Sequence, residues 1–310
     1  MRVIAVVAPI FSLIALGFLA ARLRLLGTGS QKGLADFTFS FAMPALLFRT
    51  LATPTDIAIA PLPIWTAYFG TVCVVWLLAT LTTVLLLKRP MGDAPSIAMG
   101  SVYGNIVMLG IPILLAMFGP AAAAPMAAIL MFNTPTLWLA GTLHLALADQ
   151  SGGRSVAAAA KAVALELARN PLIVAIAAGA LWSMTGLGLA EPVDKTLGLL
   201  GQAGIPCALF VLGASLADFA IKGQIPTLSS MLVLKLVVMP AVAWFMATKV
   251  VGLPAIATAV VIVFTATPAG ANAYLFATRN GRVVNSASGA VALGTLLSVA
   301  IMSAIVAALG

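Results

Sequence analysis

The sequence predicts an all-α protein that crosses a membrane many times. Hydrophobic residues make up 62% of its 310 positions, charged residues make up only 8%, and the mean hydropathy is +1.15. Backbone polar groups find no water in lipid, so only helices and closed barrels can span a bilayer. The apolar runs are about 20 residues long and do not alternate with polar residues, which indicates helices rather than barrel strands.

Ten apolar segments follow one another along the chain, and most of the loops between them are short. Segments 1 to 10 cover residues 3–21, 34–51, 62–87, 95–117, 122–148, 165–186, 193–217, 227–249, 255–277 and 284–309. The longest connection, 149–169, carries several charges and divides the chain into halves of five segments, 1–148 and 170–310. We therefore expect five plus five spanning helices.

Loop charges predict the orientation of the chain. Eleven Lys and Arg residues follow segments of odd number, whereas four lie on the opposite side. The larger group is Arg22, Arg24, Lys32, Lys88, Arg89, Arg154, Lys161, Arg169, Lys222, Arg279 and Arg282, and the smaller is Arg2, Arg49, Lys195 and Lys249. Because cytoplasmic loops carry the excess of Lys and Arg, we expect 149–169 in the cytoplasm and both termini outside the inner membrane.

An internal repeat is visible between the two halves. The same residue types recur at an offset of 162 positions: Pro9 and Pro171, Gly17 and Gly179, Pro44 and Pro206, and Phe48 and Phe210. Because each half has five segments, the second half enters the membrane from the other side, and the repeat must be inverted. Inverted repeats with interrupted helices at matching positions are typical of secondary transporters.

Segments 4 and 9 each carry helix-breaking residues and an Asn near mid-membrane, in GNIVMLGIPILLAMFG and FTATPAGANAYLFATRNG. Proline has no N–H and clashes with the preceding turn, so both helices are expected to be broken. A lone kink is more often structural, but a matched pair favours a site. Each break frees N–H groups that suit an anion and carbonyls that suit a cation or a neutral donor. The predicted substrate-binding residues here are Asn105, Gly110, Ile111, Pro112, Thr267, Pro268, Ala269, Gly270 and Asn272.

Segments 2 and 7 carry a second pair of prolines, in FAMPALLFRTLA and AGIPCALFVLGASLA. Each proline frees a backbone carbonyl, and Gln202 also offers a side-chain amide. Either these groups face the substrate cavity or the prolines only shape helix packing. The candidate residues of this second region are Met43, Pro44, Gln202 and Pro206.

Three further polar residues lie in or at the ends of apolar segments. Lys235, in MLVLKLVVMP, is predicted to have a structural or gating role, with substrate contact or snorkelling to the cytoplasmic surface as alternatives. Arg49 is placed at an outer helix end, in a gating or anchoring role. Asn133 either lines a cavity or bonds to a neighbouring helix, and the second interpretation is favoured.

Several functional classes find no support in the sequence. Every Asp and Glu falls at a segment end or in a loop, so a carboxylate-based antiporter lacks its central group. The chain has no P-loop, no HExxH motif and no catalytic triad at plausible depth, so we predict no enzyme, no metal site and no cofactor. Because its basic residues are scattered singly through short loops, we also predict that it does not bind nucleic acid.

Four stretches together resemble the auxin efflux carrier family: NIVMLGIPI from Asn105, PAGANAYLFA in segment 9, PCALFVLGASLA in segment 7 and MPALLFRTLA in segment 2. Its bacterial members are often labelled malonate or malate permeases. The resemblance covers nearly the whole chain and implies a fold similar to bile-acid symporters and sodium/proton antiporters, with segments 4 and 9 crossing as broken helices. It also implies a scaffold domain of segments 1, 2, 6 and 7, an elevator-type transport domain of segments 3–5 and 8–10, and allows a homodimer.

The leading hypothesis is a carrier, secondary active or facilitative, for a small organic anion such as malonate, malate or an auxin-like acid. Its partners would be that anion and the lipid bilayer. One alternative is a sodium- or proton-coupled symporter of the bile-acid type that holds Na⁺ with backbone carbonyls. A transporter-like membrane sensor is the alternative from another class, and it would need a soluble output domain that the sequence does not show.

Overall fold

The computed structural model of the chain describes residues 2–27, 29–53, 61–148, 165, 169–219 and 224–309. Its regular elements in these ranges are helices, as the sequence predicts. Seven of the described helical stretches are long and apolar enough to cross a membrane, so the chain is a multi-pass membrane protein. Most of the predicted cytoplasmic connection 149–169 lies outside the described residues, as do Arg154, Lys161 and Lys222.

The helices follow the predicted segments in order. Those of the first half are α1 (Arg2–Arg22), α2 (Ser30–Phe37), α3 (Met43–Ala52), α4 (Pro61–Leu81), α5 (Ala94–Val102), α6 (Ile111–Phe118) and α7 (Ala123–Ala148). Those of the second half are α8 (Pro171–Met184), α9 (Glu191–Leu216), α10 (Ile225–Val233), α11 (Met239–Phe245), α12 (Ala255–Ala266), α13 (Ala271–Asn280) and α14 (Val284–Leu309). Wider π-helical stretches join or extend several of them, at Thr38–Ala42, Thr82–Leu86, Ile106–Gly110, Leu234–Val238 and Met246–Val251.

Three of these π-helical stretches precede prolines by two residues. They are Thr38–Ala42 before Pro44, Ile106–Gly110 before Pro112 and Leu234–Val238 before Pro240. A π turn bonds each N–H to the carbonyl five residues earlier, so the chain passes the residue that lacks an N–H without losing its helical path. Segment 4 therefore continues as a helix through Pro112, and the break that we predicted there lies elsewhere.

The first halves of segments 4 and 9 form the centre of the protein. Every residue of α5 is buried, and so is every residue of α12 from Ala257 to Ala266. A helix that is apolar all round is stable only when other helices surround it. The centre of the fold is therefore the place where these two helices end.

Glycines allow very close helix packing around segments 1, 2, 6 and 7. A Cβ atom on Gly17 of α1 would overlap the backbone oxygen of Phe210 in α9. A Cβ atom on Gly179 of α8 would lie 2.8 Å from the backbone oxygen of Phe48 in α3. These backbones can touch only because no side chain separates them.

Candidate substrate site

Segments 4 and 9 each contain a short stretch of non-helical backbone between two helices. After α5, Tyr103 is extended (φ −76°, ψ 97°) and Asn105 is non-helical (φ −80°, ψ 59°). After α12, Thr267 (φ −57°, ψ 144°) and Gly270 (φ −88°, ψ 163°) are extended. The interruption of segment 4 thus precedes the Gly110–Pro112 motif, whereas that of segment 9 includes Pro268.

The two interruptions cross and bond to each other. Asn105 N donates to Pro268 O at 2.8 Å, and Gly270 N donates to Tyr103 O at 2.9 Å. Gly104 and Ala269 form the antiparallel β-bridge between these bonds. Unpaired backbone groups are costly at membrane depth, so each interruption stabilises the other and fixes their register.

Gly104 permits this close approach. A Cβ atom on Gly104 would overlap Thr267 Oγ1 and would lie 3.1 Å from both Lys235 Nζ and Phe264 O. Thr267 is fully buried, and its hydroxyl donates to Phe264 O at 2.7 Å. The threonine side chain therefore cannot turn away without losing a buried hydrogen bond. Gly110 has a similar role, since a Cβ there would lie 2.8 Å from the Phe264 ring.

A cavity of about 280 Å³ lies beside the crossing, with walls from segments 2, 4, 5, 6 and 9. Two helical stretches begin at this cavity, one at Ile106 and the other at Ala271. The first N–H groups of a helix have no partner within it and carry partial positive charge. The described residues that line the cavity include no charged side chain, so neutral donors dominate it.

Polar side chains of α7 complete the cavity wall. Asn272 Nδ2 donates to the Tyr103 hydroxyl at 2.7 Å, and that hydroxyl lies 2.7 Å from Thr134 Oγ1. The neighbouring Asn133 accepts a hydrogen bond of 2.9 Å at Oδ1 from the Tyr68 hydroxyl. Asn133 therefore both lines the cavity and bonds to another helix, so the two interpretations of the sequence hold together.

Lys235 lies at the crossing but does not line the cavity. It is 1% exposed, so the snorkelling alternative is wrong. Its Nζ donates to Thr265 O at 2.6 Å and contacts Met239 Sδ at 3.1 Å. The first bond satisfies a carbonyl that the end of α12 leaves without a helical partner. No acidic side chain in the described ranges forms an ion pair with Lys235.

The structure places only part of the predicted crossing residues on the cavity wall. Asn105, Ile111, Gly270 and Asn272 line the cavity. The other members of that prediction are buried behind the wall and support the crossing: Gly110, Pro112, Thr267, Pro268 and Ala269.

The second predicted region lies away from the cavity. Met43 is buried where α3 meets α9, with its Sδ 3.2 Å from the Cβ position of Gly204. Pro44 is half-buried, and Gln202 and Pro206 are exposed on the protein surface. Their assignment to substrate binding stays a prediction from sequence.

Arg49 joins the end of α3 to the start of α9. Its Nε and Nη2 donate to the two carboxylate oxygens of Asp194, at 2.7 and 2.9 Å. Both side chains are more than a third exposed. The pair links two packed helices.

Three polar residues of the cavity wall were missed by the sequence analysis: Tyr103, Thr134 and Asn170. Tyr103 directly precedes the motif of segment 4, and Thr134 follows Asn133 in an otherwise apolar run, so both had a local signal. Asn170 caps α8, since its Oδ1 accepts from Leu172 N at 3.0 Å. The Asn-Pro pair at 170–171 is the sequence signal for that cap.

A second cavity, of about 620 Å³, adjoins the first and shares with it Phe39, Asn170 and Leu172. Arg169 also lines it and is exposed. The second cavity therefore places a positive charge beside the first. A field of this sign attracts anions.

Comparison with known proteins identifies the family of this chain. A family model described as "Membrane transport protein" matches residues 2–306. The chain belongs to this family. The resemblance to the auxin efflux carriers is thereby confirmed, since this is the family that the model describes.

A relative with a more specific name supports the same assignment. A protein of Rhizobium meliloti (strain 1021) named "Putative malonate transporter" is 28% identical over 295 residues, which cover 95% of this chain and 92% of that protein. The chain is therefore a membrane transporter, and its substrate is a small molecule.

Proposed function

We propose that this transporter carries a small organic anion, which binds in the cavity beside the crossing. The observation that carries the proposal is the convergence of two helix starts, at Ile106 and Ala271, on one uncharged cavity. Helix N-termini bind carboxylates and phosphates through free N–H groups and the helix dipole. The side-chain amides of Asn105 and Asn272 line the same cavity. The amide of Asn105 has no hydrogen-bond partner among the described residues, so it is free to donate to a carboxylate.

The substrate class follows from the chemistry of the cavity and from the relative. Neutral donors in a small cavity suit a short carboxylate, which gains several hydrogen bonds and needs no buried Lys or Arg. The relative's name points to malonate. We therefore propose malonate or a similar short carboxylic acid, such as malate, as the substrate.

We further propose that the fold is a 5+5 inverted repeat of ten spans. Two close contacts support this symmetry. Gly17 meets Phe210, and Gly179 meets Phe48. Adding 162 to the first glycine gives the second, and subtracting 162 from Phe210 gives Phe48. The same offset of 162 thus converts each residue of one contact into a residue of the other. A two-fold relation between the halves produces pairs of contacts of this kind.

Helix packing favours the proposed division into a scaffold and a moving transport domain. The helix α1 packs mainly against α9, and α3 packs mainly against α8 and α9, which groups segments 1, 2, 6 and 7. The crossing belongs to the other group, and the cavity lies between the two groups because Phe39 and Ile176 of the scaffold also line it. An elevator-type movement of the crossing past the scaffold would carry the bound anion with it. The charge of Arg169 and the loop charges favour a cavity that opens to the cytoplasm in this conformation.

A ligand panel on the purified protein tests the proposed function. Malonate, malate, lactate, 2-oxoglutarate and indole-3-acetate are added separately, with and without Na⁺, and the thermal midpoint is measured. A ligand that binds only the folded state raises this midpoint. We expect a selective rise with malonate or another short carboxylate. A well-folded protein that responds to no anion would contradict the proposal.

A pair of amide variants locates the site. Asn105→Ala is expected to weaken malonate binding by about tenfold or more, because it removes a donor to a charged group. Gln202→Ala is the matched control, since Gln202 is an exposed amide outside the cavity. Normal binding by Asn105→Ala would remove Asn105 from the site. A loss in Gln202→Ala would instead support the second region that the sequence suggested.

A further inference from the structure

Asn133 carries a buried amide nitrogen without a partner at the cavity wall. The residue is 1% exposed, and its Nδ2 forms no hydrogen bond, although its Oδ1 accepts from Tyr68. Buried polar groups are nearly always hydrogen-bonded, so a half-satisfied amide at a cavity indicates a missing acceptor. In the described part of the chain, the other buried side-chain atom in this state is Ser96 Oγ, which does not line the cavity.

We propose that Asn133 Nδ2 donates to the second carboxylate of a small dicarboxylate substrate, and that Tyr68 positions this amide. The proposal rests on the proposed function, since it assumes that an anion enters the same cavity. The first carboxylate is held at the crossing, by the helix starts and the amide of Asn105. The second carboxylate is held by α7, a different part of the wall.

Tyr68 binds the carbonyl end of the Asn133 amide. Tyr68 lies on α4, is fully buried, and has one hydroxyl proton, which it donates to Asn133 Oδ1 at 2.9 Å. The carbonyl oxygen is thus held against α4, and the NH₂ group is left without a partner in a residue of the cavity wall. A carboxylate only accepts hydrogen bonds, so this orientation presents the group that it needs.

The two sets of donors explain why a dicarboxylate fits better than a monocarboxylate. The described cavity lining holds no Lys or Arg, so each carboxylate must be met by neutral N–H groups. A monocarboxylate held at the crossing would leave the Asn133 amide unpaired. Sites built to hydrogen-bond a substrate group reject analogues that lack it, because the buried protein group then loses its partner.

The test compares malonate with its monomethyl ester, which keeps one carboxylate and masks the other. Binding of both ligands is measured by titration calorimetry for the unaltered protein, Asn133→Asp and Tyr68→Phe. Asn133→Asp keeps the shape and the acceptor for Tyr68 but replaces the donor by a carboxylate. We expect it to weaken malonate binding by about 10- to 100-fold and to change ester binding much less. Tyr68→Phe should weaken malonate binding by a smaller factor and should also change ester binding less than malonate binding. The reason is that the Asn133 amide can turn freely once the Tyr68 hydroxyl is removed.

Ser96→Ala is the matched control, since it removes an unpartnered buried polar atom away from the cavity. It should leave both affinities unchanged. Equal losses for malonate and the ester would overturn the proposal, because a structural amide would affect both ligands alike. Unchanged or tighter malonate binding by Asn133→Asp would also overturn it. If Asn133→Asp does not fold, Tyr68→Phe is used instead, and the loss of malonate affinity is compared with the loss of ester affinity in the same way. If the unaltered protein binds neither ligand, the proposed function itself has failed.

Discussion

Replacing Gly104 by Ala is the most direct perturbation of the crossing. The added methyl group would overlap Thr267 Oγ1 and would press on Lys235 Nζ and Phe264 O, each 3.1 Å away. None of these atoms can retreat easily. The threonine hydroxyl and the lysine amine are both bonded to backbone carbonyls at the end of α12. The two interruptions must therefore move apart.

The structure sets the expected size of this effect. Overpacking a dense interior costs about 1–3 kcal/mol. The separation also lengthens at least one of the two bonds of the bridge, Asn105 N to Pro268 O or Gly270 N to Tyr103 O, which contributes about 1 kcal/mol. We expect a loss of about 2–4 kcal/mol in the free energy of unfolding, measured by denaturant titration in detergent. Uptake of malonate into proteoliposomes should fall with it, because the two helix starts no longer converge.

Two further variants isolate the cause. Gly33→Ala is the matched control, because a Cβ atom on this helical glycine meets nothing within 4 Å. It should be neutral or slightly stabilising. Thr267→Ala, combined with Gly104→Ala, removes the atom that the new methyl group overlaps and should restore part of the lost stability. Wild-type stability and uptake in Gly104→Ala alone would refute this account of the crossing.

Three other predictions concern single contacts elsewhere in the fold and at Lys235. Gly213→Ala should cost about 3 kcal/mol or more, because the new Cβ would overlap Ile14 O in the backbone of α1; thermal unfolding in detergent measures this. Arg49→Gln should leave the thermal midpoint close to that of the unaltered protein, because its pair with Asp194 is exposed and screened by solvent; a large fall would contradict this. Lys235→Met should lower stability by about 1–3 kcal/mol and leave malonate binding measurable by calorimetry; abolished binding in a folded variant would place Lys235 in the site.

The sequence predicted an all-helical multi-pass membrane protein and the two regions that meet at the crossing, because both depend on local patterns. Apolar length defines a membrane helix, and Asn105, Pro268, Gly270 and Asn272 are unusual within such helices. The position of the interruption in segment 4 was not predictable in this way. Pro112 suggested a break, but the π-helical stretch Ile106–Gly110 accommodates it, and the chain instead opens at 103–105.

Long-range contacts explain what the sequence could not predict. The hydrogen-bond partner of Asn133 is Tyr68, which is 65 positions away, and no local pattern joins them. The need for Gly104 arises from Thr267, on a different helix of the crossing. Asn and Gly residues in a membrane segment thus indicate that a site is present. Which of them face the cavity depends on packing between distant segments.

At the crossing, the helix starts and the carbonyl end of α12 differ in whether they have hydrogen-bond partners. The helix starts at Ile106 and Ala271 lie at the cavity, and the first N–H groups of a helix have no partner within it. The last carbonyls of α12 already have donors: Thr267 N on Val263 O, Thr267 Oγ1 on Phe264 O, and Lys235 Nζ on Thr265 O. A sodium ion held by backbone carbonyls would have to displace these donors, including the buried lysine. These bonds therefore argue against a sodium site on the carbonyls of Val263, Phe264 and Thr265 at the end of α12.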